Sequence, residues 1–200
     1  MTAIQPDILI GQEELRRRVE ELGQQISDHY RAIDEMPVLV SVLKGSAIFL
    51  ADLIRALDID VRLDFMSISS YGDGSASGVV RIVKDLEESI EGRHVLVVED
   101  IVDTGLTLNY LRRTLGSRQP ASLRAVTLLD KAVRRLIPVE LEWAGFEIPD
   151  VFVLGYGLDH NGIYRNVRYI FATEDITSLV GDPNMYVPAL FSSSDGPRPL

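Results

Sequence analysis

A chain of 200 residues, 46% hydrophobic and 25% charged, can bury a sizeable core as one domain. Thirty acidic against twenty basic residues leave a net charge of −10, which repels nucleic-acid backbones and disfavours a general DNA or RNA binder. The absence of cysteine excludes disulfides and thiol chemistry, and suits a reducing cytoplasm. The N-terminus lacks the basic and apolar regions of a signal peptide. The most apolar segment, AIFLADLIRAL, is interrupted by Asp52 and Arg55 and is too short to span a bilayer, so no membrane partner is expected.

In chain order, Leu15, Val19, Leu22, Ile26, Tyr30 and Ile33 recur at steps of three and four, predicting an amphipathic helix from residue 13 to about 33. VLVSVL (38–43) reads as a buried strand, KGS as a short turn, and 46–57 as a helix. VRLDFMSIS (61–69) and VVRIVKD (79–85) read as strands around SYGDGSASG, a loop rich in glycine. HVLVVED (94–100) is a strongly apolar strand, followed by the helix TLNYLRRTLG with Leu108, Leu111 and Leu115 on its core face. Strands are also expected at 122–131, 151–157 and 167–172. Strands alternating with helices predict an α/β fold with a mainly parallel central sheet. A single domain is expected over 1–185, with a poorly ordered, proline- and serine-rich tail over 186–200.

The chemistry concentrates in VLVVEDIVDTGLTLNYLRR (95–113), where a strand ends in Glu99, Asp100 and Asp103 and a hydroxyl-rich loop follows. Ligands of such sheets bind at the carboxyl ends of the strands. Thr104, Gly105, Leu106 and Thr107 open a helix there. The free amides, dipole and threonine hydroxyls suit one phosphate group. No GxxxxGK[ST] occurs in the chain, so a Walker-type triphosphate cradle is excluded. Two unit charges about 4 Å apart repel by roughly 4 kcal/mol at an effective dielectric of ~20, and both would repel a phosphate. Glu99 and Asp100 must therefore face a metal ion or sugar hydroxyls. Acids beside a phosphate seat describe a ribose 5-phosphate, with Asp103 near its anomeric carbon. The plainer reading is a solvated strand end followed by an Asp or Thr N-cap.

VVEDIVDTGLTL resembles the phosphoribosyl-pyrophosphate signature of the type I phosphoribosyltransferases. SVLKGSAIFLADL, ISSYGDGS, VTLLDK and GFEIPDVFVLGYGLDHNGIYRN resemble, in order, the 6-oxopurine salvage branch of that family, over roughly residues 36–175. The resemblance implies the type I fold, with a small hood and a flexible lid loop at about 70–78. It implies transfer of the phosphoribosyl group from phosphoribosyl pyrophosphate to N9 of hypoxanthine and/or guanine, giving IMP or GMP and pyrophosphate. Mg2+ would be the cofactor, and a homodimer or homotetramer the assembly.

Carried over by the resemblance, Glu99 and Asp100 would bind the ribose hydroxyls and the metal, with Asp159 as a further metal ligand. Thr104, Gly105, Leu106 and Thr107 would hold the 5-phosphate. Asp103 would be the catalytic acid or base near N7. Lys44, Gly45, Ser70, Tyr71 and Arg165 would bind pyrophosphate, with a non-proline cis peptide at Leu43–Lys44. Lys131, Phe152, Val153 and Asp159 would contact the purine: Lys131 by donating to O6, Phe152 by stacking. On spacing alone Lys44 would be a solvated lysine, and Phe152 a core residue. Leu106 departs from the family, some of whose members carry lysine there. A regulator of the same fold that senses phosphoribosyl pyrophosphate is the second reading, and a transferase acting on pyrimidines or adenine the third. The presence of Asp103, Lys131, Asp159 and Arg165 and the acidic chain favour the enzyme, while Lys131 and FVLGYGLD weigh against the third.

Overall fold

The computed structural model describes residues 4–33, 35–71 and 79–191, with the backbone alone at 70, 71, 79 and 80. The chain forms two compact units. One is Glu13–Asp150; the other joins the segment up to Gln12 to the segment from Val151 onward.

In the larger unit, β2 (Val38–Leu43), β3 (Arg62–Tyr71), β4 (Val79–Lys84), β5 (His94–Val102), β6 (Ser122–Asp130) and β7 (Trp143–Glu147) form a six-stranded sheet ordered β4-β3-β2-β5-β6-β7. All neighbours are parallel except β3 and β4, which pair antiparallel. Strands covered on both faces need apolar side chains throughout, and VLVSVL and VLVV of β5 supply them. Five of the six residues of β2 are buried, and Val95 to Val98 are fully buried.

Helix α1 (Gln12–Arg31) presents Leu15, Val19, Leu22, Ile26 and Tyr30 as one buried stripe, with Glu13 and Glu14 in its first turn and Arg31 in its last, complementing the helix dipole. It crosses α2 (Ala47–Ala56) at Gly23, where a Cβ would lie 2.5 Å from the Ala56 carbonyl oxygen. Arg18 fastens α1 to β7 through the carbonyls of Ala144 and Gly145, each at 2.8 Å. Helix α3 (Leu106–Gly116) buries Leu108, Leu111 and Leu115 in the core formed with Val40, Val42, Val97 and Val102.

The smaller unit is an antiparallel sheet ordered β1-β9-β8, from β1 (Asp7–Ile10), β8 (Phe152–Leu154) and β9 (Ile170–Thr173). With α4 (Ile176–Gly181) and α5 (Val187–Phe191) it forms its own core of Leu154, Tyr164, Phe171, Leu179 and Tyr186. The strand expected at 151–157 is shorter because Gly155, Tyr156 and Gly157 all have positive φ and turn the chain. Tyr186, at the start of the expected tail, is 5% exposed and donates to Thr173 Oγ1 at 2.9 Å. Residues 192–200 of that tail, and 72–78 of the expected lid, lie outside the described residues. Among the described residues no helix is long and apolar enough to cross a membrane.

At the amino ends of the parallel strands, His29 packs edge-on against Tyr30 and Trp143, its Nε2 buried without a hydrogen-bond partner. Burial, then the charges of Arg124 and His94, holds its basicity below that of a free histidine. The folded protein therefore resists a proton that the unfolded chain accepts below about pH 6.5. Folding stability supplied by neutral His29 is present above that pH and lost as pH falls through the folded value. Urea midpoints at pH 7.5 and 5.5 are expected to differ less in His29→Phe than in the wild type; equal differences would remove His29 from the account.

Candidate active site

Strand β5 runs two residues past HVLVVED to Val102, and α3 begins at Leu106, leaving Asp103, Thr104 and Gly105 as the whole connection. So short a loop needs a sharp reversal, and Gly105 supplies it at φ 83°. A Cβ at Gly105 would also come within 2.9 Å of the Ile137 carbonyl oxygen. The first amide bonded within α3 is Asn109 N–H, to the Gly105 carbonyl. The amides before it face the loop, where an anion can accept from them. Leu106 N–H donates to Thr104 Oγ1 across a long 3.4 Å. The Leu106 side chain is exposed.

Glu99 is 5% exposed and its Oε1 is buried without a partner. Burial, and next to it the charge of Asp100, pushes the Glu99 carboxyl well above the usual carboxylate range. Asp100 Oδ1 accepts from Ile101 N–H at 2.9 Å. A buried acid with an unused oxygen, whose charged form burial makes costly, beside a second carboxyl group is a place that positive charge would stabilise. Among the described residues no three His, Asp or Glu side chains converge to hold a metal ion. Glu99 and Asp100 therefore fit a cation that takes its other ligands from a bound substrate, as magnesium commonly does.

Asp100 also meets the end of β2. Gly45 lies so close to it that a Cβ there would stand 1.6 Å from Asp100 Oδ2. The Leu43–Lys44 peptide is cis, as the resemblance implied. Ser46, fully buried, fixes the turn by donating to the Val42 carbonyl and sharing a hydrogen bond with Ser41 Oγ at 2.7 Å. Lys44 is exposed. The larger unit thus brings Lys44 and Gly45 to the same sheet end as Glu99, Asp100 and Asp103. Ser70 and Tyr71 close β3, where their backbones pair with Val80 and Val79.

Lys131 follows β6 and is 5% exposed, with its Nζ 3.9 Å from Asp150 Oδ1. In the smaller unit, Phe152 is half-buried and edge-on to His160, and Val153 is buried in β8. Asp159 pairs with Arg165 at 2.7 Å and also accepts from Gly162 N–H at 2.7 Å. Arg165 donates in turn to the Gly157 carbonyl at 2.6 Å. Asp159 and Arg165, expected to serve the metal and the pyrophosphate separately, thus meet as one ion pair.

The profile of the phosphoribosyl transferase domain matches residues 10–161. The chain is 49% identical over 167 residues to a hypoxanthine phosphoribosyltransferase of Haemophilus influenzae, covering 82% of this chain and 93% of that one. It is 46% identical over 164 residues to a hypoxanthine-guanine phosphoribosyltransferase of Bacillus subtilis, covering 82% and 90%. The chain belongs to the hypoxanthine(-guanine) phosphoribosyltransferases. A solved structure of the Trypanosoma cruzi hypoxanthine phosphoribosyltransferase, a lysine-to-arginine variant in ternary complex with its substrates, has a TM-score of 0.80 and 46% identity, covering 86% of this chain and 96% of that one.

In this phosphoribosyltransferase the residues that sequence reasoning passed over are Arg134 and Arg135. Arg135 donates to the Asp103 carbonyl at 3.0 Å and pairs with Asp130. Leu136 N–H donates to the Thr104 carbonyl at 3.0 Å. The loop between β5 and α3 is therefore braced from the segment after β6, 32 residues on. A basic pair in a loop carries no sequence signal for this, since its partners are defined only by the parallel pairing of β5 with β6.

Proposed function

We infer that this chain is a purine salvage enzyme: it transfers the 5-phosphoribosyl group from phosphoribosyl pyrophosphate to N9 of hypoxanthine and/or guanine and releases pyrophosphate. The observation that carries the reading is the seat at the carboxyl end of β5. A buried acid with an unused oxygen, Glu99, stands beside Asp100, and a tight αL loop opens α3 only a few residues further on. Acids for a diol and its metal, next to amides for one phosphate, match a ribose 5-phosphate at both ends.

In this reading Thr104, Gly105, Leu106 and Thr107 take the 5-phosphate by backbone amides and hydroxyls. The exposed Leu106 adds no charge there, so the amides and helix dipole carry the recognition. Glu99 and Asp100 orient the ribose hydroxyls and would hold magnesium; when bound, the ion neutralises the departing pyrophosphate. The same carboxylates stabilise positive charge developing on the sugar ring. Asp103 accepts or returns the proton at N7 of the purine as N9 forms its new bond. Lys44 and Gly45 serve the pyrophosphate. Lys131, a buried cation, donates to O6 of the base, where adenine offers no acceptor. The roles of Phe152 and Val153 toward the base, of Asp159 toward magnesium, and of Arg165, Ser70 and Tyr71 toward pyrophosphate rest on the family resemblance. So do the lid at about 70–78, a single transferase domain over 1–185, and an assembly of two or four copies. A cysteine-free chain accords with a cytoplasmic location.

The test is turnover with phosphoribosyl pyrophosphate, magnesium and each of hypoxanthine, guanine, xanthine, adenine and uracil. Nucleoside monophosphate is expected with hypoxanthine, guanine or both. Adenine is expected to react at least about 10³-fold more slowly, because a site built to donate to O6 is left unpaired by it. Turnover of adenine or uracil alone would overturn the reading.

A further inference from the structure

Of the two arginines after β6, one touches the backbone of the phosphate loop and the other touches the acid itself. Arg134 ends the short 3-10 turn Ala132–Arg134, and its own amide donates to the Lys131 carbonyl at 3.0 Å. From there its Nε lies 3.5 Å from Asp103 Oδ1 and its Nη1 lies 3.5 Å from Asp150 Oδ1. Asp103 Oδ1 is shielded from solvent and accepts no hydrogen bond. Among the described residues, Arg134 provides the ion pair made by the Asp103 side chain.

We propose that Arg134 is a positioning residue for this reaction: anchored by Asp150, its guanidinium fixes the rotamer of the Asp103 carboxylate that exchanges a proton with the purine. The proposal rests on the reading of Asp103 given above. An unattached aspartate at a loop entry samples several rotamers, and only one aims an oxygen at a given ring nitrogen. A planar guanidinium held at its far end by a second carboxylate restricts that choice. The side chains of Arg134 and Asp103 are 50% and 40% exposed, so the pair contributes little to stability. Geometry in the reacting complex is where it acts, since small misplacements of a reacting group cost large factors in rate. Arg135 divides the labour differently: it holds the Asp103 carbonyl, hence the loop, and its loss would disturb phosphate binding.

The experiment is a double-mutant cycle in steady-state turnover of hypoxanthine, with Arg134→Ala, Asp103→Asn and the double variant, and with Arg134→Lys as a rescue. Arg134→Ala is expected to lower kcat about 5- to 20-fold while the KM for phosphoribosyl pyrophosphate stays within about twofold, the pattern of an interaction that matters in the transition state. In the Asp103→Asn background the same change is expected to do nothing further, and Arg134→Lys to recover activity to within about threefold of wild type. An unchanged kcat in Arg134→Ala overturns the proposal, as does an equal slowing of Asp103→Asn or a loss confined to KM. An Asp103→Asn enzyme as fast as wild type overturns the role of Asp103 and this proposal with it. A wild-type protein without turnover overturns the enzyme reading itself.

Discussion

Replacing Asp103 by asparagine is expected to lower kcat by about 10²- to 10⁴-fold, the usual contribution of a positioned acid or base. Affinity for phosphoribosyl pyrophosphate should survive. The reason lies in how β5 and its loop divide the acids. Glu99 is buried inside the strand, and Asp100 faces Gly45. Asp103 sits past the strand with its backbone held by Arg135 and its carboxylate near Arg134. An asparagine keeps the shape and loses the proton chemistry. Steady-state kinetics with a separate donor-binding titration checks this. A matching loss of donor affinity would make Asp103 a ligand rather than a proton carrier, and a loss of kcat under tenfold would remove it from the chemistry.

The second large effect is expected at Gly45. An alanine Cβ would stand 1.6 Å from Asp100 Oδ2 and 2.7 Å from its Cγ, so one of the two must move. The obstacle is the tip of a side chain, while the turn itself is pinned by buried Ser46. Asp100 should therefore yield and the fold persist. Gly45→Ala is expected to melt within a few degrees of wild type, the range of an effect of about 1 kcal/mol in a domain of this size. The KM for phosphoribosyl pyrophosphate should rise at least about tenfold, because the proposed contact of Asp100 with the ribose and its cation would be lost. A wild-type KM in a folded Gly45→Ala protein would show that Asp100 is not where donor binding is decided.

Much of the fold and of the site is legible in the sequence, for physical reasons that differ by element. VLVSVL and VLVV announce parallel strands because covered strands tolerate little but apolar residues, and both lie in the central sheet. Glu99, Asp100 and Asp103 are legible because carboxylates directly after such a run cost too much to be there idly. By contrast, WAGFE of β7 has one β-branching-free, glycine-containing stretch of five residues and signals no strand; it forms by pairing with β6. DILI of β1 is four residues long and takes its place only by pairing with β9, far along the chain. Gly45 was legible as part of a pyrophosphate loop, but not as the residue that makes room for Asp100, 55 positions on. Arg134 and Arg135 carry no sequence signal of a role, and only the fold brings them to Asp103.

One measurement separates transfer of the phosphoribosyl group from mere recognition of its donor. Phosphoribosyl pyrophosphate, magnesium and hypoxanthine are mixed with the protein, and pyrophosphate release and IMP formation are followed together. The account predicts both products, in equal amounts and catalytically, over many turnovers per chain. Donor binding with neither product would mark a sensor of phosphoribosyl pyrophosphate, and pyrophosphate without IMP a hydrolase; either result would contradict it.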